Sequence, residues 1–200
     1  MKIPEPIRGF VDTLSQLPGI GPRQAIRIAF HLAGRSPDTA FSLARAAERL
    51  GELKTCPRCF YIHESDASLC EICSSPIRNT QIIAVVEKET DVLSMENTGK
   101  FDGTYLVLGN IKKTGGLSET QKARLESLKK RIMAMEGEII RELILALSPT
   151  TFGDMASRMV EQELSPYATK MTKLGRGIPT GGEIEFADPE TLGEAIRRRD

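Results

Sequence analysis

Long apolar runs are absent from this 200-residue chain, and so are tryptophan, internal repeats and low-complexity segments. No stretch approaches the roughly 18 apolar residues of a membrane span. The opening Met1-Lys2-Ile3-Pro4-Glu5-Pro6 has no apolar core of the secretory kind, so a cytoplasmic location is expected. Aromatic residues are 5% of the chain against 40% hydrophobic residues in all, so an ordinary apolar content is chiefly aliphatic. Such a length suits one medium domain or two small ones. Glycines cluster near the end of the chain, but no Gly-Lys-Ser/Thr follows them, which excludes a P-loop. Net charge is missing too, since 27 Lys and Arg balance 27 Asp and Glu. Its distribution is uneven. Residues 1–60 hold nine basic residues (Lys2, Arg8, Arg23, Arg27, Arg35, Arg45, Arg49, Lys54, Arg58) and five acidic ones (Glu5, Asp12, Asp38, Glu48, Glu52), hence plus four, leaving minus four for the rest. A basic part joined to an acidic part suits a chain that grips a polyanion with one and a protein with the other.

The four cysteines that are present fall in two pairs, Cys56-Pro57-Arg58-Cys59 and Cys70-Glu71-Ile72-Cys73, with ten residues between the pairs. Two such knuckles bring four soft thiolates to one ion at about 2.3 Å, which is the tetrahedral set that Zn²⁺ prefers. Two disulfides would need an oxidising compartment, and a thioredoxin-like redox site would need only one pair. With every ligand position filled by protein, the site is expected to be structural. His63 lies inside the loop and could replace one thiolate, but four cysteines suffice and an exposed loop histidine is expected.

Ahead of the cysteines, Phe10, Leu14 and Leu17 keep helical spacing up to Pro18-Gly19-Ile20-Gly21-Pro22, after which Ala25, Ile26, Ile28, Ala29 and Leu32 resume it. Two helices joined by a tight glycine hairpin are predicted, with Gly19 and Gly21 supplying backbone conformations closed to other residues and Pro22 in the first turn of the second helix. The hairpin amides then point outward at a positive helix end and can take a phosphate oxygen. Arg23 and Arg27 follow one turn apart on one face. Such a group grips a nucleic-acid backbone and ignores the bases. The alternative is a loop that merely packs two helices. Pro37 and Asp38 start a third helix, with Ala40, Leu43, Ala44, Ala47 and Leu50 as its expected buried stripe.

Beyond the cysteines the pattern changes to alternating strands and helices. Gln81 to Glu87 is a continuous apolar run ending in a carboxylate, suited to a strand buried on both faces of a parallel sheet. A helix around Asp91 to Thr98, a strand over Thr104 to Gly109, a polar loop at Lys112 to Gly116 and a long charged helix from Ser118 to Glu136 follow. A strand over Glu142 to Leu147, a helix over Gly153 to Leu164 and a fourth strand over Ala168 to Leu174 are expected to complete the βαβ alternation. Ligands of such sheets gather at the carboxyl ends of the strands, where Glu87 and the Ser148-Pro149-Thr150 turn fall. The terminal Arg176-Gly177-Ile178-Pro179-Thr180-Gly181-Gly182-Glu183 segment leads into a short helix capped by Asp188 with Pro189 at its first position.

The order of these parts resembles the bacterial RecR family over nearly the whole chain. The Leu-Pro-Gly-Ile-Gly-Pro-x-x-Ala hairpin, the two CxxC pairs, a Toprim-like α/β part and the Gly-Ile-Pro-x-Gly-Gly-Glu segment occur in that sequence. The resemblance implies a helix-hairpin-helix domain (1–53), a zinc finger (54–77), a Toprim-like parallel-sheet domain (78–174) and a C-terminal segment (175–200). It implies a non-enzymatic, DNA-binding recombination mediator that acts with RecO and RecF to place RecA on single-stranded DNA, and that assembles as dimers or ring-like tetramers. By position, its zinc ligands fall on Cys56, Cys59, Cys70 and Cys73, and its DNA-facing basic residues on Arg23 and Arg27, beside the Gly19 and Gly21 amides.

Two departures from the resemblance bear on chemistry. Toprim enzymes hold Mg²⁺ with a glutamate after the first strand, matched by Glu87, and an acidic-x-acidic pair after the third, which here reads Phe152-Gly153-Asp154. Glu87 and Asp154 alone would hold Mg²⁺ weakly, because that ion needs carboxylates together with substrate phosphates. A structural role for Glu87, capping a helix or pairing with an arginine, is as well supported. The family's Ser-Pro after the second strand is replaced by Lys112-Lys113, two lysines beside glycines that could touch phosphate but are read as a solvated turn. The competing functions are a Mg²⁺-dependent Toprim nuclease or primase-like enzyme, and a zinc adaptor that binds only protein.

Overall fold

A computed structural model describes residues 3–64, 66–113, 116–137, 139–175, 177–197 and 199. The chain divides into two compact units, residues 1–53 and 54–200. The first holds three helices, α1 (Glu5–Leu14), α2 (Pro22–Ala33) and α3 (Pro37–Leu50). Prolines stand in the first turns of all three, where a missing N–H costs nothing. Ser36 caps α3 by accepting the Asp38 N–H at 3.3 Å. Val11, Ala25 and Ala29 form the small core, with Ile7, Phe10, Leu14, Ile20 and Ile26 packed against it. Alanines at the contact let the helix axes approach closely.

The expected burial of α3 fails: no residue of that helix is buried. Its apolar face instead lines an open groove of about 630 Å³, where Leu43, Ala44 and Ala47 face Phe10, Leu14 and Leu32. Helical periodicity reports that a face is apolar, and not that the same chain covers it.

The second unit begins with a two-stranded antiparallel ribbon, β1 (Lys54–Thr55) and β2 (Ile62–His63), and a short helix α4 (Glu71–Ser74). Next come β3 (Ile82–Val86), α5 (Glu89–Glu96), β4 (Thr104–Val107), α6 (Glu119–Met133), β5 (Ile140–Ala146), α7 (Thr151–Leu164), β6 (Ala168–Lys173) and α8 (Pro189–Arg197). The four later strands form one sheet in the order β4-β3-β5-β6, with every pairing parallel. Successive residues of β3 serve opposite faces. Ile83 and Val85 join Leu125, Leu128 and Ile132 of α6 and Val160 and Leu164 of α7, whereas Ala84 and Val86 join Val92 of α5 and Tyr105. This double burial is why the strand reads as an unbroken apolar run. Ser118 and Gln121 start α6 with a reciprocal capping box. Asp188 caps α8 by accepting the Glu190 and Thr191 N–H groups at 3.0 and 2.9 Å. Thr114, Gly115 and Arg176 of the segments read above lie outside the described residues. Among the described residues no helix is long and apolar enough to cross a membrane.

The ribbon is fastened to the sheet through its cysteine segment. Cys59 O accepts the Val107 N–H at 2.8 Å, so the ribbon backbone continues the hydrogen bonding of β4 on the side away from β3. Phe60, with a left-handed φ of 64°, packs against both cores and carries the Arg124 guanidinium 4.9 Å above its ring.

Candidate nucleic-acid interface and metal centre

The hairpin between α1 and α2 presents its polar backbone at the surface. Gly19 has φ of 80°, a conformation that costs any residue with a Cβ about 1 kcal/mol or more. Gly21 differs from expectation: its φ of −85° and ψ of 166° are open to every residue. A Cβ at Gly21 would meet nothing within 4 Å, so what the glycine preserves there is unobstructed access to the amides. The Ala25 N–H is the first in α2 to find a helical acceptor, Gly21 O at 3.0 Å. Those of Arg23 and Gln24 precede it and face outward at the positive end of the helix. Arg23 and Arg27 are exposed, on the side of α2 away from buried Ala25 and Ala29. Among the described residues neither is held by a carboxylate, and the first turn of α2 carries no acidic residue.

The four cysteines converge as their spacing implies. Their sulfur atoms all lie within 4.8 Å of one another, and each residue is at most 5% exposed. Cys59 Sγ and Cys70 Sγ are 3.5 Å apart. A tetrahedron with metal–sulfur bonds of about 2.3 Å has edges of about 3.8 Å, so the donors fit a single ion of zinc's size. Contact among the thiols splits their acidities: the Cys59 hydrogen bond, then that of Cys73, pull Cys70 down to about 2, while the Cys70 and Cys73 contacts and burial push Cys59 up. One dication meets this demand for charge without protons. These four cysteines can therefore bind a metal ion.

His63 does not join them. Expected as an exposed loop residue, it is only 8% exposed, turned inward by the β1–β2 pairing, and neither ring nitrogen has a hydrogen-bond partner among the described residues.

At the carboxyl ends of the sheet strands, Glu87 is committed to structure. Its Oε1 accepts the Ile111 N–H at 3.1 Å and its Oε2 the Ser148 hydroxyl at 3.0 Å, tying together the segments that leave β3, β4 and β5. Glycine at 153 answers to close packing, because a Cβ there would stand 1.9 Å from Ser148 O. Asp154 follows in the first turn of α7. Among the described residues, no set of three or more metal-binding side chains forms around Glu87; the cysteines alone make such a set. Sequence reasoning did not find Ser148 as the partner of Glu87, since 61 residues separate them. Nor did it single out Arg131, which hides in the charged run Lys129-Lys130-Arg131 yet turns inward to Thr104 Oγ1 at 2.7 Å.

Comparison with known proteins follows the same divisions. The family model "RecR, helix-hairpin-helix" matches residues 7–50, "Toprim domain" matches 81–175, and "RecR, C-terminal" matches 177–199. The protein named Recombination protein RecR of Roseiflexus sp. (strain RS-1) is 36% identical over 199 residues, covering 98% of this chain and 94% of its own length. Its namesake in Chloroflexus aurantiacus (strain ATCC 29366 / DSM 635 / J-10-fl) is 38% identical over 98% of this chain and 95% of its own. That of Rubrobacter xylanophilus is 37% identical over 96% and 95%. With its hairpin, cysteine cluster, parallel sheet and terminal segment in the same chain, and with likeness running almost from end to end, this chain belongs to the RecR family of recombination proteins.

Proposed function

We propose that the protein is a sequence-independent DNA-binding scaffold in recombinational repair, a non-enzymatic ring-like clamp located in the cytoplasm. Arg23, Arg27 and the Gly19 to Gly21 amides contact phosphates, Cys56, Cys59, Cys70 and Cys73 hold Zn²⁺ as a structural ion, and copies of the chain assemble as a dimer or tetramer. With RecO and RecF it helps place RecA on single-stranded DNA. The observation that carries this reading is the α1–α2 hairpin, whose outward amides and two exposed arginines share a helix end free of acidic residues. Each contact is weak, and several hairpins in one assembly add through multivalency. The open apolar groove of residues 1–53 supports assembly, because such a face is costly to leave in water.

Glu87 supports the non-enzymatic side of the proposal. Both of its oxygens are engaged by protein donors, and phenylalanine stands where the Toprim pattern has a further carboxylate. Binding to labelled duplex and single-stranded DNA of unrelated sequences across a salt series tests the scaffold. Affinity independent of sequence, falling with salt at a log-log slope of about 0.9 per duplex phosphate neutralised, is expected. Arg23→Glu/Arg27→Glu abolishes it with folding and zinc content unchanged. Mg²⁺-dependent cleavage that disappears in Glu87→Gln would establish the enzyme instead, and unaltered binding by the double variant would move the DNA site elsewhere.

A further inference from the structure

Among the described residues, Arg131 is a guanidinium without a carboxylate. It sits in the last turn of α6, where Nη2 donates to Thr104 Oγ1 at 2.7 Å and Nη1 lies 3.5 Å from Tyr105 O, while Nε is buried with no partner among the described residues. No acidic residue pairs with it among the described residues. A buried charge left uncompensated costs several kcal/mol, so neutral oxygen partners alone account poorly for its retention. Arg78 shows what compensation looks like in the same unit: that half-buried guanidinium is paired with Glu96.

The nearby source of negative charge is the cysteine cluster when it holds a metal ion. Four thiolates and one dication sum to minus two. Arg131 reaches β4 at Thr104 and Tyr105, the strand whose Val107 N–H donates to Cys59 O; burial pulls its pKa down, while the charges of Cys73, Cys59 and Cys56 favour its cation and that of Arg58 opposes it. Arg58 stands inside the first knuckle and donates from Nη1 to Cys73 O at 3.0 Å, on the second knuckle, again without a carboxylate partner among the described residues. Arg58 and Arg131 thus both act on the cysteine cluster, whose formal charge with one dication bound would be minus two.

We propose that Arg131 and Arg58 are the counter-cations of the metal–tetrathiolate centre, positioning residues that fasten the ribbon to α6 by charge in addition to the backbone hydrogen bond from Val107 to Cys59. The inference rests on the zinc reading given above. Groups around a metal's own ligands are worth about 10- to 100-fold in metal affinity, and here the charge, not a hydrogen bond to sulfur, is the agent.

The test measures Zn²⁺ affinity of the full chain by competition with a chromophoric chelator, together with the thiolate-to-cobalt charge-transfer bands of the Co²⁺-loaded protein. Arg131→Gln lowers affinity by about tenfold or more and moves the bands to longer wavelength, because thiolates without a cation beside them give up electrons more easily. Arg131→Lys keeps affinity within about threefold, and Arg58→Gln, which retains a donor for Cys73 O, lowers it by about threefold or more. Arg78→Gln loosens the fold through unpaired Glu96 but leaves metal affinity within about twofold. Equal losses in Arg131→Lys and Arg131→Gln, or an equal loss in Arg78→Gln, would overturn the proposal by making packing the cause. If Arg131→Gln does not fold, Arg58→Gln decides, and wild-type affinity there refutes the idea. A wild-type chain that binds no Zn²⁺ would overturn the metal reading itself, an outcome distinct from unaltered variants of a zinc-loaded protein.

Discussion

The two units solve the burial problem differently. Residues 54–200 close their core within the chain: β3 is buried on both faces, and Leu128, Ile132, Ile140, Leu143 and Leu164 reach 0% exposure. Residues 1–53 do not. Their third helix has no buried residue and leaves Leu43 46% exposed beside a groove of apolar side chains. The amphipathic pattern is stronger in the three helices of residues 1–53 than in α5 and α6, so patterning does not explain the contrast. The difference lies in what covers the apolar face: a sheet and its helices supply their own cover, whereas a three-helix hairpin unit leaves its face to another surface.

The contrast can be broken most severely at the metal. Cys59→Ser is expected to lose the ion and to cost on the order of 5 kcal/mol in the second unit, since structural zinc contributes folding energy outright. Atomic absorption and thermal unfolding measure the two effects, and a zinc-free variant with wild-type melting would contradict it. Glycines give the next comparison. Gly153→Ala drives a Cβ to 1.9 Å from backbone Ser148 O and destabilises by roughly 3 kcal/mol, whereas Gly21→Ala, with nothing within 4 Å, changes stability by less than about 1 kcal/mol and instead weakens DNA binding. Chemical denaturation and a binding titration of both variants check the pair.

Leu43→Glu sharpens the comparison from the other side. A charge in the open groove should leave the second unit's stability unchanged while weakening self-association about tenfold, roughly 1.4 kcal/mol, as read by sedimentation. An unaltered mass distribution would remove the groove from assembly. The smallest effect is one of pH. Burial pushes the Glu96 pKa up, but hydrogen bonds from Arg78 and Tyr105 outweigh it and hold the carboxyl below its ordinary 4.5. Its folded-state value being depressed, the pair contributes fully above that range, and the contribution is lost as pH falls through and below it. Partly exposed, the pair is worth about 1 kcal/mol at most. Glu96→Gln should therefore flatten the acid limb of a stability-versus-pH curve, and an unchanged limb would assign acid sensitivity elsewhere.

How much of this was legible in the sequence differs from residue to residue for physical reasons. The four-strand sheet was readable because a strand buried on both faces must be apolar at every position, as Ile82 to Val86 is. The cysteine cluster was readable because its chemistry is local to two short knuckles. The hairpin was readable from Pro18 to Pro22, although only Gly19 needs its glycine for backbone conformation. The burial of His63 escaped because a two-residue strand is too short to show a period. Arg131 escaped because a Lys-Lys-Arg run on a helix reads as a solvated face. In the fold, Lys129 reaches Glu126 and Glu163 while Arg131, two residues on, turns towards β4. Long-range pairs such as Ser148 with Glu87 leave no local signal at all.

The hydrogen bond from Val107 to Cys59 carries one more consequence. β4 borders the sheet, and a bare bordering strand is a template on which other chains polymerise. β6, at the opposite border, bears exposed Lys170 and Lys173, charges that discourage such growth. The strand Thr104–Val107 has no such charges, and the cysteine segment is hydrogen-bonded to its Val107 end as a hem. Losing an ion held by the cysteines would thus do more than soften a small module: it would unpick that hem and leave the protein prone to precipitate strand upon strand.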